Sequence, residues 1–345
     1  MRDYPVIDAD GHVTESDESL RKHLRPEFRA RPLMGAEAWD RRFGGKLGKM
    51  NEDPRVQLAD MDAEGIDIQV IYPSHLSLSA VKEPELAVDL ARAWNDWIAA
   101  FCAADPRRLK GIAQVALQDV SAATAEARRA VEELGLVGVM MPTNVRDQDI
   151  GQRQFWPFYE AVEGLGVGLA LHGGIEAARR MHERFNTFIS VHSIAFPFEC
   201  MAALTGLLFA GVPEQFPRLR IAALEGSCGW MPFLMDRLDE EYELRGAVEA
   251  PLLKMKPSEY LLTDRIYLSF EPEESTIPYV IERFGAHKLL YASDYPHWDS
   301  GWPHTLRHVT ERDDISEADK RTILADNPQR FYGFTADVPT GAGSA

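Results

Sequence analysis

Eight short apolar runs are distributed along the whole chain, and helical patterns separate most of them. They lie near residues 5 to 10, 67 to 73, 110 to 116, 136 to 142, 167 to 172, 220 to 225, 266 to 270 and 288 to 294. Short apolar runs that alternate with helices are typical of buried parallel strands. The pattern predicts an α/β fold with a (β/α)8 barrel of the TIM type. We expect one domain over residues 1 to 336 and a flexible tail over residues 337 to 345.

Two stretches are longer than simple connections between a strand and a helix. Residues 13 to 51 are largely polar and contain Pro26, Pro32 and a Gly44-Gly45 pair. Long inserts at a barrel mouth are frequently functional, so we predict that this one forms a cap over the site after strand one. The second insert, residues 184 to 219, combines a helical segment with His192 near its start.

Acidic and histidine residues stand at or just past the ends of four of the apolar runs. Asp10 and His12 follow the first, His172 ends the fifth, Glu225 the sixth and Asp294 the eighth. In an α/β barrel the carboxyl ends of all strands converge on one mouth, where the chemistry takes place. Imidazoles and carboxylates gathered there suit a divalent transition metal. We therefore predict that Asp10, His12, His172 and Asp294 bind a metal ion.

Each of these ligand assignments has a structural alternative. Asp10 and His12 are separated by one residue and can share one face of a strand, but Asp10-Gly11 is also typical of an Asx-turn. His172, followed by two glycines that permit a sharp turn, could instead hydrogen-bond a backbone carbonyl. Asp294 follows an apolar run, where an unpaired carboxylate would be costly, so it needs a cation or several donors.

Glu225 and Asp294 are the predicted catalytic residues. Glu225, at the end of strand six, could bind metal, bridge two metals or act as a general base. The alternative is a salt bridge between Glu225 and a nearby arginine. Weaker candidates could hold a second metal or contact substrate, although each alone is more often structural: Glu15, His192, Glu271 and His297. Polar or aromatic residues after other strands could line a substrate pocket: His75, Asn144 and Trp230.

Composition excludes several other functions. The formal net charge is −17, from 37 basic and 54 acidic residues, so we expect no binding to nucleic acid or to an anionic membrane surface. The sequence shows no phosphate-binding glycine loop, no Gly-x-Ser-x-Gly elbow and no dinucleotide fingerprint. Cys228 follows Ser227, but no positioned base is evident for either. The three cysteines are sparse, so we expect reduced thiols in a cytoplasmic protein. The first apolar run begins too early for a signal peptide, and no apolar stretch is long enough for a membrane span, so we expect neither.

Motifs across nearly the whole chain resemble those of the amidohydrolase-related family that includes aminocarboxymuconate-semialdehyde decarboxylase and related aromatic-acid decarboxylases. The matching segments are Ile7-Asp8-Ala9-Asp10-Gly11-His12, residues 60 to 67, Leu171-His172-Gly173, Met231-Pro232-Phe233 with Arg237-Leu238-Asp239, Ser293-Asp294-Tyr295-Pro296-His297, and residues 327 to 332. The resemblance implies a (β/α)8 barrel, a divalent metal such as zinc or manganese, and homo-oligomers.

The resemblance carries over only in part. His172 and Asp294 match the family's ligands of strands five and eight. The strand-one pair is His-x-His or Glu-x-His in the best-known members, whereas here it is Asp10-Gly11-His12. The family's catalytic histidine of strand six falls on Glu225, which can still accept a proton or bind a second metal.

The sequence therefore predicts a metal-dependent hydrolase or nonoxidative decarboxylase for a small carboxylate or amide. In this interpretation one ion activates a water molecule and Glu225 positions or deprotonates it. The surplus of ligand-type residues leaves a dinuclear iron or manganese oxygenase on the same barrel as an alternative. A third hypothesis is a metal-free subunit that partners an active paralogue.

Overall fold

The computed structural model describes residues 2 to 31, 52 to 173 and 178 to 337. The strands are β1 (Ile7–Val13), β2 (Ile68–Pro73), β3 (Leu109–Gly111), β4 (Ala113–Gln114), β5 (Gly138–Met141), β6 (Gly168–His172), β7 (Arg220–Leu224), β8 (Ile266–Phe270) and β9 (Leu289–Tyr291).

Helices follow or precede nearly every strand. They are α1 (Asp17–Arg21), α2 (Pro54–Glu64), α3 (Pro84–Cys102), α4 (Val120–Glu132), α5 (Trp156–Leu165), α6 (Arg179–Arg184), α7 (Phe188–Phe209), α8 (Val212–Gln215), α9 (Met231–Glu249), α10 (Pro257–Leu261), α11 (Ile277–Phe284), α12 (Thr305–Thr310), α13 (Glu317–Arg321) and α14 (Asn327–Tyr332). Short 3-10 turns cover Leu78–Ala80, Arg153–Phe155 and Ala286–Lys288, and a π-helical turn, Thr322–Asp326, precedes α14.

All neighbouring strands pair in parallel, in the order β1-β2-β3 and β4 through β9. β3 and β4 are two parts of one barrel strand, interrupted at Ile112, so the barrel has eight strands. The first strand meets the segment after the last one, because Asp294 N donates to Asp10 O at 3.1 Å and His12 N to Tyr295 O at 2.6 Å. The predicted (β/α)8 fold is confirmed.

The interruption of the third strand has a side-chain cause. The side-chain amide of Asn95 on α3 hydrogen-bonds the backbone of Gln114 in the way that a neighbouring strand would. Its Oδ1 accepts from Gln114 N at 2.9 Å, and its Nδ2 donates to Gln114 O at 3.0 Å. Trp94 Nε1 donates to Ile112 O at 3.0 Å. The helix thus supplies hydrogen bonds at the point where the regular strand pairing is interrupted.

The C-terminal helix fills the barrel end opposite the predicted site. Phe331 and Tyr332 of α14 belong to the cluster of buried side chains inside the barrel. Tyr332 also meets the hydroxyl of Tyr72, with 2.8 Å between the two oxygens. Gly168, the first residue of β6, lies against Phe331. With this end packed, the carboxyl ends of the strands form the accessible end of the barrel.

The predicted cap falls largely outside the described residues. β1 extends to Val13, and the described part of the insert ends at Arg31, with Leu20 and Phe28 buried in the core. Arg25 Nε donates to Asp89 Oδ1 of α3 at 3.0 Å, which fixes this part to the barrel wall. Residues 32 to 51, and 338 to 345 of the predicted tail, lie outside the described part.

Helix α7 belongs to the second predicted insert. Within the described residues it alone is long and apolar enough, by length and composition, to cross a bilayer. Three of its side chains, Cys200, Leu204 and Leu208, are buried in the barrel's core. Helices of protein cores satisfy the same criterion.

The close contact between Gly168 and Phe331 predicts that adding one methyl group at residue 168 destabilises the protein. A Cβ at residue 168 would lie 2.8 Å from the backbone oxygen of Phe331, so we expect Gly168→Ala to lower the free energy of unfolding by about 1 to 3 kcal/mol. Gly164 of α5 is the matched control, because no atom of the described residues lies within 4 Å of the place that a Cβ would take there. Gly164→Ala should be neutral or stabilising by up to about 1 kcal/mol in the same denaturant titration. Equal effects of the two substitutions would contradict this packing.

Candidate metal centre and active site

Three predicted ligands meet at the barrel mouth. Asp10 Oδ1 lies 3.5 Å from His12 Nε2 and 3.5 Å from His172 Nε2. All three atoms are buried and have no hydrogen-bond partner among the described residues. A buried carboxylate oxygen and two buried imidazole nitrogens that face one another without partners are costly unless a cation lies among them. Their chemistry therefore fits a divalent transition metal.

The two histidines are oriented by their other ring nitrogens. His12 Nδ1 lies 3.0 Å from the carbonyl oxygen of Pro73, and His172 Nδ1 lies 3.1 Å from that of Gly173. Because only a protonated nitrogen can donate to a carbonyl, each Nε2 carries the free lone pair and faces the cluster. Burial, together with His297 and His172, holds the pKa of His12 well below its ordinary value, so the ring is neutral.

Asp294 joins the cluster from the last strand. Its Oδ1 lies 3.4 Å from His12 Nε2 and 2.5 Å from His297 Nδ1, and His297 Nε2 lies 3.0 Å from Ser74 Oγ. His12, Asp294 and His297 thus form a second group with metal-ligand geometry. Burial raises the pKa of Asp294. Although burial lowers the pKa of His297, the adjoining Asp294 charge outweighs it and raises that pKa to about 9.

Glu225 lies beside the ligand cluster. Its Oε2 is 3.1 Å from His172 Nε2, and its backbone N–H donates to Ser269 Oγ at 2.8 Å. Burial and the charges of Asp294 and Asp10 raise its pKa well above the ordinary value. Both Glu225 (φ 55°) and Asp294 (φ 53°) have left-handed backbones, which are uncommon for residues other than glycine. Such strain clusters at functional sites, because it aims side chains that a regular strand would direct elsewhere.

A buried carboxylate that the sequence analysis did not single out supports the two acidic ligands. Asp8 accepts hydrogen bonds from Ser293 N (2.9 Å), Ser293 Oγ (2.5 Å), Gln69 Nε2 (2.8 Å) and Asp10 N (3.2 Å). It therefore ties the end of β1 to the residue before Asp294. Its position two residues before Asp10 in a buried strand was a signal that could have identified it.

The cavity at the barrel mouth includes four predicted residues beyond the proposed ligands. Glu225, His75, His192 and His297 line it together with His12 and His172. His75 Nε2 is buried and has no hydrogen-bond partner among the described residues. Burial lowers the pKa of His75 to about 4, so this ring is neutral.

The remaining predictions are not brought to the cavity. Asn144 donates to Glu199 Oε2 at 2.9 Å, and Trp230 donates to Gly226 O at 2.6 Å. Neither residue, nor Glu271, is among the described residues that line it. The position after a strand did not determine where Asn144 and Trp230 point, since each side chain forms a hydrogen bond with a residue that does not line the cavity.

Glu15, a weaker candidate for a second metal or for substrate, makes hydrogen bonds to the loop after β2. Its carboxylate accepts from the backbone N–H groups of Ser74, His75 and Leu76 at 3.0, 2.9 and 2.6 Å. It therefore braces the loop that carries His75. The sequence analysis also missed polar and aromatic lining residues: Ser74, Gln114, Phe188, Trp298 and Asp299. These residues lie on loops or inside apolar segments, where the sequence pattern does not distinguish lining residues from their neighbours.

The cysteines are free and buried in the structure, as expected. Burial, with Glu274 nearby, raises the pKa of Cys228 far above its ordinary value. A thiol that stays protonated is a poor nucleophile. Nucleophilic catalysis by Cys228 is therefore disfavoured.

A barrel with buried carboxylate and imidazole ligands at the strand ends defines a class of divalent-metal enzymes. The amidohydrolase family profile matches residues 7 to 334, and the chain belongs to the amidohydrolase family.

Three comparisons illustrate this relationship. A 2-amino-3-carboxymuconate-6-semialdehyde decarboxylase from Dictyostelium discoideum is 24% identical over 296 residues, covering 86% of this chain and 80% of the relative. A gamma-resorcylate decarboxylase from Polaromonas sp. is 27% identical over 295 residues, covering 81% of this chain and 87% of the relative. The crystal structure of a dihydroxybenzoic acid decarboxylase from Polaromonas sp., with manganese and 2-nitroresorcinol bound, has a TM-score of 0.76 at 24% identity and covers 96% of this chain and 97% of that one.

These similarities confirm the predicted family and an enzyme, and the ligand geometry of the described residues supports a divalent metal. They confirm the predicted class, a metal-dependent hydrolase or nonoxidative decarboxylase. The dinuclear oxygenase alternative is not favoured.

The ligand geometry predicts which variants lose the metal. His172→Ala and Asp294→Asn should each lower metal affinity by more than the roughly 10- to 100-fold that follows loss of a supporting hydrogen bond, because they remove a ligand itself. Metal per chain, measured by elemental analysis after dialysis, should fall in both variants while the circular dichroism spectrum stays native. His287 precedes β9 at the opposite barrel end, so His287→Ala should keep its metal. Full occupancy in both ligand variants would refute the assignment.

The Asp294–His297 contact predicts a titration. In the metal-free protein the imidazole of His297 should titrate near pH 9, since the Asp294 charge stabilises the imidazolium. Asp294→Asn removes that charge but keeps the burial, so the pKa of His297 should fall. The pKa of His297 should also fall when a cation binds beside Asp294. NMR of ring-labelled histidine, assigned with His297→Gln, measures both shifts. An unchanged pKa in Asp294→Asn would contradict the electrostatic explanation.

Proposed function

We propose that this chain removes carbon dioxide, without oxidation, from a small planar carboxylate of aromatic or unsaturated type. Asp10, His12, His172 and Asp294 would hold one divalent ion, manganese or zinc. The relatives named as decarboxylases and the manganese in the Polaromonas structure support this proposal.

The observation that carries the proposal is the composition of the cavity. Its lining includes His12 and His172 of the ligand cluster together with Glu225, while apolar and aromatic side chains form much of the remainder: Leu76, Leu78, Val115, Met140, Phe188 and Phe196. A flat hydrocarbon ring gains from burial against such walls. Its carboxylate would lie at the polar side, next to the ligand cluster.

A divalent ion held by these residues would supply positive charge to bind the carboxylate and polarise the adjoining part of the substrate. Glu225 is the carboxyl group that lines the cavity beside His172. In the proposed reaction its carboxylic acid gives a proton to the ring carbon that bears the carboxylate. The bond between that carbon and the carboxylate then breaks, its electron pair restores the ring's unsaturation, and carbon dioxide leaves. Glu225, now ionised, regains a proton from water.

Other cavity residues position the substrate. His75 is neutral, and its Nε2 has no hydrogen-bond partner among the described residues, so it can hydrogen-bond a substrate oxygen or N–H, according to its tautomer. The apolar walls exclude water from the protonated carbon.

Isotope incorporation distinguishes decarboxylation from hydrolysis, which would use the same groups with Glu225 taking a proton from water. Manganese-loaded protein would be incubated in deuterium oxide with a panel of hydroxybenzoates and followed by mass spectrometry. Decarboxylation places one deuterium on the carbon that lost carbon dioxide. Release of carbon dioxide without that deuterium, or hydrolysis of amides in place of decarboxylation, would refute the proposal.

Glu225→Gln tests the proton-transfer role. The amide preserves shape but cannot give up a proton readily, so kcat should fall about 10²- to 10⁴-fold while the metal content stays normal. Loss of metal as well as rate would instead make Glu225 a ligand. Glu160 on α5 is exposed, so Glu160→Gln serves as the control and should retain its rate. Normal metal and normal turnover in Glu225→Gln would end the proposed mechanism.

We also propose a homo-oligomer in the cytoplasm. Helix α9 exposes Phe233, Leu244 and Val248 to more than half of their maximal area, at 65%, 74% and 78%. Exposed apolar residues that share one helix are typical of a subunit contact. Light scattering should give a multiple of the 38.7 kDa chain mass, reduced by Leu244→Glu with Val248→Glu. A monomer, or a stable complex only with a paralogous chain, would contradict the homo-oligomer.

A further inference from the structure

We infer that the cavity contains an entrance subsite, formed by Asp299, His192, Phe188 and Trp298, for a hydrogen-bond donor on the substrate ring. The inference rests on the proposed function and narrows its substrate class to hydroxyl- or amino-substituted aromatic or unsaturated carboxylates. All four residues line the same cavity as the ligand cluster.

Exposure places this group at the opening of the cavity. The side chains of His192 and Asp299 are 27% and 33% exposed, whereas those of His12 and Asp10 are 1% and 2% exposed. Trp298 is 47% exposed at the same place. A substrate whose carboxylate lies at the ligand cluster would therefore bring another part of its ring toward Asp299.

Aromatic rings hold the imidazole of His192 beside Asp299. The ring of Phe188 stacks on that of His192 with centroids 5.0 Å apart, and the ring of Trp298 lies 5.6 Å from it. The ring of Phe196 meets the imidazole edge to face, with centroids 5.5 Å apart. These contacts restrict the imidazole to a position where its Nε2 is 3.4 Å from Asp299 Oδ2. The rings also provide flat surfaces along which a planar substrate can lie.

The charge of Asp299 determines what the subsite accepts. An ionised carboxylate is only an acceptor, with about four lone-pair positions, so the ion pair of Asp299 with His192 leaves capacity for a ligand donor. A hydroxyl or amino group can donate a hydrogen bond to Asp299, whereas an ether oxygen has no hydrogen to donate. A second carboxylate on the substrate would meet repulsion in this partly buried place, where screening by water is reduced. Asp299 would thus favour donor-bearing monocarboxylates over dicarboxylates.

Binding of matched ligand pairs tests this subsite without requiring turnover. The 2-, 3- and 4-hydroxybenzoates would be compared with the corresponding methoxybenzoates by calorimetry on manganese-loaded protein. We expect at least one hydroxyl compound to bind about tenfold or more tightly than its methoxy partner, since a hydrogen bond to a charged acceptor contributes at least that much. Asp299→Asn and Asp299→Ala should reduce this preference and strengthen binding of benzene-1,3-dicarboxylate.

Glu273 provides the charge control. Its Oε1 would lie 3.2 Å from a Cβ at Gly301, so it adjoins the loop that carries Asp299, but it does not line the cavity. Glu273→Gln removes the same charge from this region and should keep the hydroxyl preference. If Glu273→Gln and Asp299→Asn reduced the hydroxyl preference equally, the preference would depend on the overall negative charge of this region. That result would overturn the subsite.

The outcomes separate the subsite from the proposed function. Equal affinities across every hydroxyl and methoxy pair in the native protein, or a preference that survives in both Asp299 variants, would overturn the subsite even if hydroxybenzoates lose carbon dioxide. A preference that depends on Asp299 would support the subsite even if no decarboxylation occurs. In that case the proposed reaction, and not the subsite, would be wrong.

Discussion

The structure of the site depends on one electrostatic constraint, the burial of Asp10, His12 and His172 with their ligand atoms facing one another. None of the three facing atoms has a hydrogen-bond partner among the described residues. Carbonyl groups hold both imidazoles by their other nitrogens, so the rings cannot turn away without losing a hydrogen bond. A cation resolves this arrangement, because it is attracted to the carboxylate and accepts both nitrogen lone pairs.

Supporting contacts keep the acidic groups in place before a cation arrives. Asp8 receives four hydrogen bonds and links β1 to the segment that carries Asp294. Glu15 fixes the loop of Ser74 and His75 through three backbone N–H groups. The left-handed backbones at Glu225 and Asp294 are retained within this framework. Rigid support of this kind gives a site its preorganised geometry, which a mobile loop could not provide.

The sequence determined the barrel and the ligand cluster more completely than the cavity. Parallel strands buried on both faces leave continuous apolar runs, and the residues at their ends must converge, so Asp10, His12, His172 and Asp294 could be placed together before the structure was known. Asn144, Trp230 and Glu15 show the limit of that reasoning. Each follows a strand, yet its side chain forms a hydrogen bond with another residue and does not line the cavity. Asp299 and Trp298 could not be assigned for the same reason, because their role depends on α7 packing across the opening.

The central claim is that one divalent ion lies among Asp10, His12, His172 and Asp294. Anomalous diffraction at the metal's absorption edge, from crystals of active enzyme purified without chelator, tests it most directly. The account predicts one peak about 2.0 to 2.3 Å from ligand atoms of these four residues. A peak held by other residues, or fully active crystals without a peak at this position, would contradict it.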